Sequence, residues 1–250
     1  MTTPALDITG LNKNFGALQV ARDIDFHLEK GARHALIGPN GAGKTTLVNL
    51  ITGALQPTSG AIRLDGVEIT RMGQAERSQR GLARTFQINQ LFSGLTVLEN
   101  ICLAIAERTG VSRSLFRPLG RRQELIDEAL QRLSDLRLQD VALKRIDELA
   151  YGQQRLVEIA IALGQQPKVL VLDEPSAGVP RSESQLILDR INGLSDTISV
   201  LMIEHDMDMV FRFAERITVL VDGGILVQGT PREIAADERV RAVYLGEAHD

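Results

Sequence analysis

The sequence predicts an α/β fold: a mostly parallel core sheet, an antiparallel β part near the N-terminus and a helical subdomain inserted in the middle. Three observations predict it. The apolar runs Ala35-Leu36-Ile37, Val169-Leu170-Val171-Leu172, Ile198 to Ile203 and Ile217 to Val221 are separated by helical stretches, the pattern of strands buried on both faces of a sheet. From Val97 to about Leu163 the apolar spacing becomes helical, and Leu125, Ile126, Ala129, Leu130, Leu133 and Leu136 fall on one face. Before that region, short alternating runs bounded by turn residues read as antiparallel strands.

In chain order, Asp23 to Leu28 alternates with Ile24, Phe26 and Leu28 inward, a half-buried strand that ends at Lys30-Gly31. Ile62 and Leu64 repeat the period, and Asp65-Gly66 before Val67-Glu68-Ile69 is a hairpin signal. The strand-like Leu82-Ala83-Arg84-Thr85-Phe86 runs into Gln87, where the helical region begins. Within that region Arg113 to Arg122, with its Gly, Pro and arginines, reads as an exposed loop. Thr230-Pro231-Arg232-Glu233 has the form of a capping box with Pro at the first helical position. The whole of 1–250 reads as one domain, with 1–87 and 165–250 forming its core and 88–164 the helical subdomain.

Composition excludes several classes. A length of 250 residues with 44% apolar content suffices for one large core, and a net charge of -4 argues against a nucleic-acid partner held by bulk electrostatics. A single cysteine, Cys102, excludes an internal disulfide framework and fits a reducing compartment. Met1-Thr2-Thr3-Pro4 carries no secretory pattern, and no apolar run approaches the roughly 20 residues that span a bilayer. The expectation is a cytoplasmic protein that reaches a membrane only through a partner.

The chemistry begins at Gly38-Pro39-Asn40-Gly41-Ala42-Gly43-Lys44-Thr45-Thr46, between the run Ala35-Leu36-Ile37 and the helical Leu47-Val48-Asn49-Leu50-Ile51. Strand, glycine loop and helix are the context in which G-x-x-x-x-G-K-S/T binds phosphate. Glycines let backbone N–H groups turn inward on an anion, and the helix start adds positive potential. Lys44 supplies a point charge for the β- and γ-phosphates, and the Thr45 hydroxyl suits Mg²⁺. Kinases, GTPases and motor ATPases all remain open at this point. Asp173 and Glu174, at the end of the run Val169 to Leu172, narrow them: one carboxylate can hold Mg²⁺ and the next can polarise a water, a pairing that favours hydrolysis. Gln87 could reach both metal and water, and His205, after Val200 to Glu204, could contact the γ-phosphate at the same sheet edge.

The segment Leu149-Ala150-Tyr151-Gly152-Gln153-Gln154-Arg155 resembles the LSGGQ signature of ATP-binding-cassette (ABC) ATPases, and the phosphate loop, Gln87, signature, Asp173-Glu174 and His205 follow that family's order and spacing across nearly the whole chain. The resemblance implies a P-loop NTPase of the ABC ATPase type that binds ATP and Mg²⁺ and hydrolyses ATP. Phe15 would stack on adenine, Thr45, Gln87 and Asp173 would hold the metal, and Glu174, Gln87 and His205 would serve catalysis. It also implies a second ATPase subunit docked head to tail, with Ala150, Tyr151, Gly152 and Gln153 presented to its nucleotide, membrane permeases docked in the groove between the subdomains, and indirectly a solute-binding protein. Ala150 stands where the family has serine, removing a hydroxyl whose bond to a charged group is worth roughly 1.5–3 kcal/mol. Tyr151 replaces the first signature glycine, and Ser176-Ala177-Gly178-Val179 stands where the family often has Ser-Ala-Leu-Asp, so a leucine and the aspartate that helps link two active sites are both missing. Leu149 to Gln153, Ala83 to Gln87, Ile203 to Met207 and Tyr244 to Ala248 are similar to the importers of branched-chain amino acids. A non-transport cassette ATPase, an exporter subunit and a P-loop kinase are the competing expectations.

Overall fold

In the computed structural model, which describes residues 3–85, 91–110 and 123–246, the N-terminal half runs β1 (Leu6–Phe15), β2 (Leu18–Leu28), β3 (Arg33–Ile37), α1 (Lys44–Thr52), β4 (Ser59–Leu64), β5 (Val67–Glu68), α2 (Gln74–Gln79) and β6 (Leu82–Arg84). The helices α3 (Val97–Arg108), α4 (Gln123–Asp135) and α5 (Tyr151–Gly164) follow, with two short 3₁₀ turns before α5. The chain then alternates through β7 (Val169–Asp173), α6 (Arg181–Asn192), β8 (Ser199–Ile203), α7 (Met207–Phe213), β9 (Arg216–Val221) and β10 (Gly224–Gly229), and closes with α8 (Pro231–Ala236) and α9 (Glu238–Gly246).

Two sheets result. The first, of order β2-β1-β4-β5, is antiparallel. Its β4–β5 turn places Asp65 at φ 50 and Gly66 at φ 80, the two left-handed residues that match a turn to the twist of its strands. The second has order β10-β9-β3-β8-β7-β6; β9, β3, β8, β7 and β6 are parallel and β10 is an antiparallel edge. The unbroken apolar runs arise because both faces of this sheet are covered. Leu170, Leu172, Val200 and Met202 point into a core shared with α3, α5 and α6, whereas Val169, Val171, Leu201 and Ile203 point into a second core with α1 and the antiparallel sheet.

Some expectations change. The strand from Asp23 begins earlier, at Leu18, and pairs with β1, whose alternation is broken by register shifts and by Gly10 at φ 55. In α4, Leu125, Ala129 and Leu133 are buried, but Leu130 is 39% exposed, because α4 packs on its neighbours over a narrow stripe. The segment 113–122 lies outside the described residues. Thr230 does cap α8: its Oγ1 accepts from Glu233 N at 3.3 Å, and Glu233 Oε2 accepts from Thr230 N at 2.7 Å. Among the described residues no helix is long and apolar enough to cross a membrane.

Arg77 shows how α1 is held. The side chain is fully buried and donates to Leu50 O and Ile51 O at 2.6 Å, to Thr70 O at 2.9 Å and to Met72 O at 2.9 Å. A guanidinium therefore sits on the negative C-terminal end of α1, and the opposite end of that helix faces the glycine loop.

Candidate functional site

The parallel order β3-β8-β7-β6 lines up the C-terminal ends of four neighbouring strands. Leu36 pairs with Ile203, Ile203 with Asp173, and Arg84 with Val171. With strands about 4.8 Å apart, the loop after β3, the turn after β8 and the turn after β7 share one rim. Lys44, His205 and Asp173-Glu174 belong to these three turns. Gln87, expected beyond β6, lies outside the described residues, as do its neighbours 86–90.

In the loop, glycine is demanded by close approach. A Cβ at Gly38 would lie 2.2 Å from the Leu220 carbonyl oxygen, and one at Gly43 (φ 97) 2.9 Å from the Val20 carbonyl oxygen. Ala42 is buried and its carbonyl accepts from Gly223 N at 2.9 Å, which ties the loop to the β9–β10 turn. Asn40, Gly41 and Thr45 are exposed, and Pro39, Lys44 and Thr46 are partly covered. Helix α1 starts with no acidic residue in its first turn and no side-chain cap, so nothing negative competes with an anion for its N–H groups. Lys44 Nζ donates to Gly38 O at 2.5 Å and Pro39 O at 2.9 Å, which folds the ammonium over the loop. A triphosphate fits these donors.

Asp173 is 3% exposed, and its Oδ2 pairs with Arg84 Nη2 at 2.5 Å; the same guanidinium donates to Asn49 Oδ1 of α1 at 2.8 Å. Asp173 and the Thr45 hydroxyl are hard oxygen donors of the kind Mg²⁺ takes. Glu174 follows in a left-handed conformation, φ 48, rare for a side-chain-bearing residue, with its N–H donated to Ile203 O at 2.9 Å. The His205 side chain is 66% exposed, and its Nδ1 stands 3.7 Å from the buried Glu204. Phe15 ends β1, half exposed, with Lys13 Nζ 4.9 Å from the ring centre, an open aromatic for a base to stack on.

The signature segment opens α5, with Ala150 as the capping residue and Tyr151 first in the helix. The Ala150 methyl offers no acceptor, while Gln153 Oε1 accepts from Ala150 N at 3.3 Å. Gly152 N donates to Glu183 Oε2 of α6 at 3.1 Å, and a Cβ at 152 would meet that oxygen at 2.4 Å. The two departures beside it are complementary. Tyr151, bonded through its hydroxyl to Arg155 at 2.9 Å, lies over Gly178, where a Cβ would come 3.3 Å from the ring. The aromatic at 151 fills the space left by the missing side chain at 178.

Between β6 and the helices lies a groove of about 410 Å³, lined in part by Arg84, Thr85, Leu91, Glu107, Glu158 and Gln165. Sequence reasoning missed Arg84, Glu183 and Glu204. Only Glu204 left a trace, as a charge directly continuing the buried run Ser199 to Ile203.

A family model described as "ABC transporter" matches residues 21–177, and one described as "Branched-chain amino acid ATP-binding cassette transporter" matches 225–250. The chain is 38% identical over 255 aligned positions to the high-affinity branched-chain amino acid transport ATP-binding protein BraF of Pseudomonas aeruginosa, covering 99% of this chain and 100% of that one. Among solved structures it is similar to an ATP-binding cassette of an ABC transporter in its ADP conformation, with TM-score 0.86, 31% identity and coverage of 98% and 100%. It also shares the fold of a bacterial ABC cassette solved as a dimer, with TM-score 0.75, 24% identity and coverage of 91% and 99%.

Proposed function

The chain belongs to the ABC transporter family as one of its ATPases, and from that premise we propose that it is the ATP-hydrolysing subunit of an importer of branched-chain amino acids or related small solutes. The observation that carries this reading is the shared rim of β3, β8 and β7, which gathers phosphate loop, His205 and Asp173-Glu174 at one place. In the reading, Phe15 stacks on adenine, loop N–H groups and the start of α1 hold the phosphates, and Lys44 turns from the loop carbonyls to the β- and γ-phosphates. Thr45, Asp173 and Gln87 would hold Mg²⁺, which would neutralise phosphate charge. Glu174 takes a proton from a water that attacks the γ-phosphorus; the bond to the bridging oxygen breaks, giving ADP and phosphate. His205 contacts the γ-phosphate and holds it in line.

Each site is completed by Ala150, Tyr151, Gly152 and Gln153 of a second ATPase subunit, whose helix start presents positive potential. Permease subunits dock at the groove beside β6, which places the protein on the inner face of the membrane, and a solute-binding protein delivers the cargo. BraF, by its name, serves branched-chain amino acid transport, and that supports this choice of solute. Purified protein with MgATP is expected to release phosphate slowly. Glu174→Gln should abolish turnover and Lys44→Ala should weaken nucleotide binding at least ten-fold by calorimetry; undiminished turnover in Glu174→Gln would refute the assignment.

A further inference from the structure

Glu204 is fully buried at the end of β8, and its carboxylate joins two turns. Oε1 accepts from Ser176 N at 3.0 Å and from Ser176 Oγ at 2.5 Å; Oε2 accepts from His205 N at 3.0 Å and Asp206 N at 3.4 Å. Ser176 lies two residues beyond Glu174, and His205 is the next residue along from Glu204 itself. The same two turns are linked by Glu174 N to Ile203 O at 2.9 Å.

A buried carboxylate is costly unless donors surround it, and here the donors come from the turns that carry the two γ-phosphate residues. Glu174 is held at φ 48, a conformation that persists only where its surroundings over-determine it. The Ser176 clamp fixes the chain just after that strained residue. An amide at 204 would reproduce one oxygen but turn its NH₂ toward the donors of the other turn. We propose that Glu204 is a positioning residue for hydrolysis, locking the Glu174 turn to the His205 turn so that the group activating water and the group contacting phosphate share one geometry. The proposal rests on the ATPase reading above.

The test compares Glu204→Ala, Glu204→Gln, Ser176→Ala and the double variant Glu204→Ala/Ser176→Ala under saturating MgATP, with nucleotide affinity from calorimetry. Glu204→Ala should lower kcat about 30-fold or more while KM and Kd for ATP stay within about three-fold. Glu204→Gln should fall between it and the wild type. Ser176→Ala should lose about five- to ten-fold, and the double variant should be no worse than Glu204→Ala, since one clamp is broken only once. Without nucleotide, histidine side-chain NMR of Ser176→Ala should move the His205 resonance and leave His27 and His34 in place. Should Glu204→Ala not fold, Ser176→Ala decides by kcat and by this signal. A kcat within two-fold of wild type, losses that multiply in the double variant, or an unmoved His205 resonance would overturn the clamp. Those outcomes with Glu174→Gln inactive sink only the clamp, whereas full turnover in Glu174→Gln sinks the ATPase assignment itself.

Discussion

His34 is a titratable side chain placed where a proton does not fit. It is buried on β3, its Nε2 lies 2.8 Å from Thr218 Oγ1, and its ring meets Phe26 edge-on at 4.8 Å. Burial, aided by the charge of Arg216, lowers its pKa from 6.5 to about 4. Between those values the unfolded chain takes up a proton that the folded chain refuses, so stability falls as pH drops through the window. The contribution is about 3 kcal/mol when complete. Urea denaturation at pH 7 and pH 4.5 should show His34→Gln losing about 2–3 kcal/mol less than wild type on acidification; equal losses would show that His34 does not carry the effect. At this scale the sequence was legible where a residue's task is local. Gly38, Lys44 and Thr45 announce a phosphate loop by spacing alone. Glu204 and Arg77 stayed hidden, because their meaning depends on carbonyls and N–H groups brought in by other segments.

Among elements, α1 carries opposite tasks at its two ends. Its start is left open for phosphate, and its finish is closed by Arg77, which bonds two carbonyls of α1, those of Leu50 and Ile51, and ties them to the carbonyls of Thr70 and Met72. Burial draws the Arg77 pKa down to about 10, so the group stays charged at neutral pH. Arg77→Met would strip those buried carbonyls of the guanidinium and should cost about 3 kcal/mol in urea denaturation. Arg77→Lys should recover little, since one ammonium does not span a fork-shaped set of acceptors. A loss below 1 kcal/mol in Arg77→Met would show that water replaces the guanidinium. Turns and caps were legible because Asp65-Gly66 and Thr230 to Glu233 act within four residues. The hairpin β9–β10 bears the same signature at Asp222-Gly223, with φ 46 and 77, and was overlooked because the apolar run before it already read as a parallel strand. Strand β1 was unreadable for a different reason: its bulges break the two-residue period on which recognition depends.

For the whole molecule, the main sheet divides two cores, one shared with the helices that reach the groove and one shared with α1 and the antiparallel sheet. The groove beside β6 opens at the edge of this sheet, with Thr52 and Ser78 lining it from one side and Glu107 and Glu158 from the other. In cells, deleting this chain should reduce uptake of labelled leucine, isoleucine and valine at least ten-fold, with recovery by the wild type and none by Lys44→Ala; unchanged uptake of all three would redirect the solute assignment. The fold class was legible because alternation of strand and helix is a pattern of the whole chain. Tyr151 over Gly178 was not, since each residue alone reads as a departure and only their contact makes them a matched pair.

The wall between the cores has a phase, and the rim inherits it. Even-numbered residues of β8 look one way and odd-numbered ones the other, up to the point where the concealed acid and the open imidazole stand side by side. Deleting a single residue from Ser199 to Ile203 would reverse that parity, moving the acid into the apolar register place of Ile203 on the α1 side and the imidazole into the buried place the acid now holds. Such a slip would erase the rim without removing any of the residues that form it.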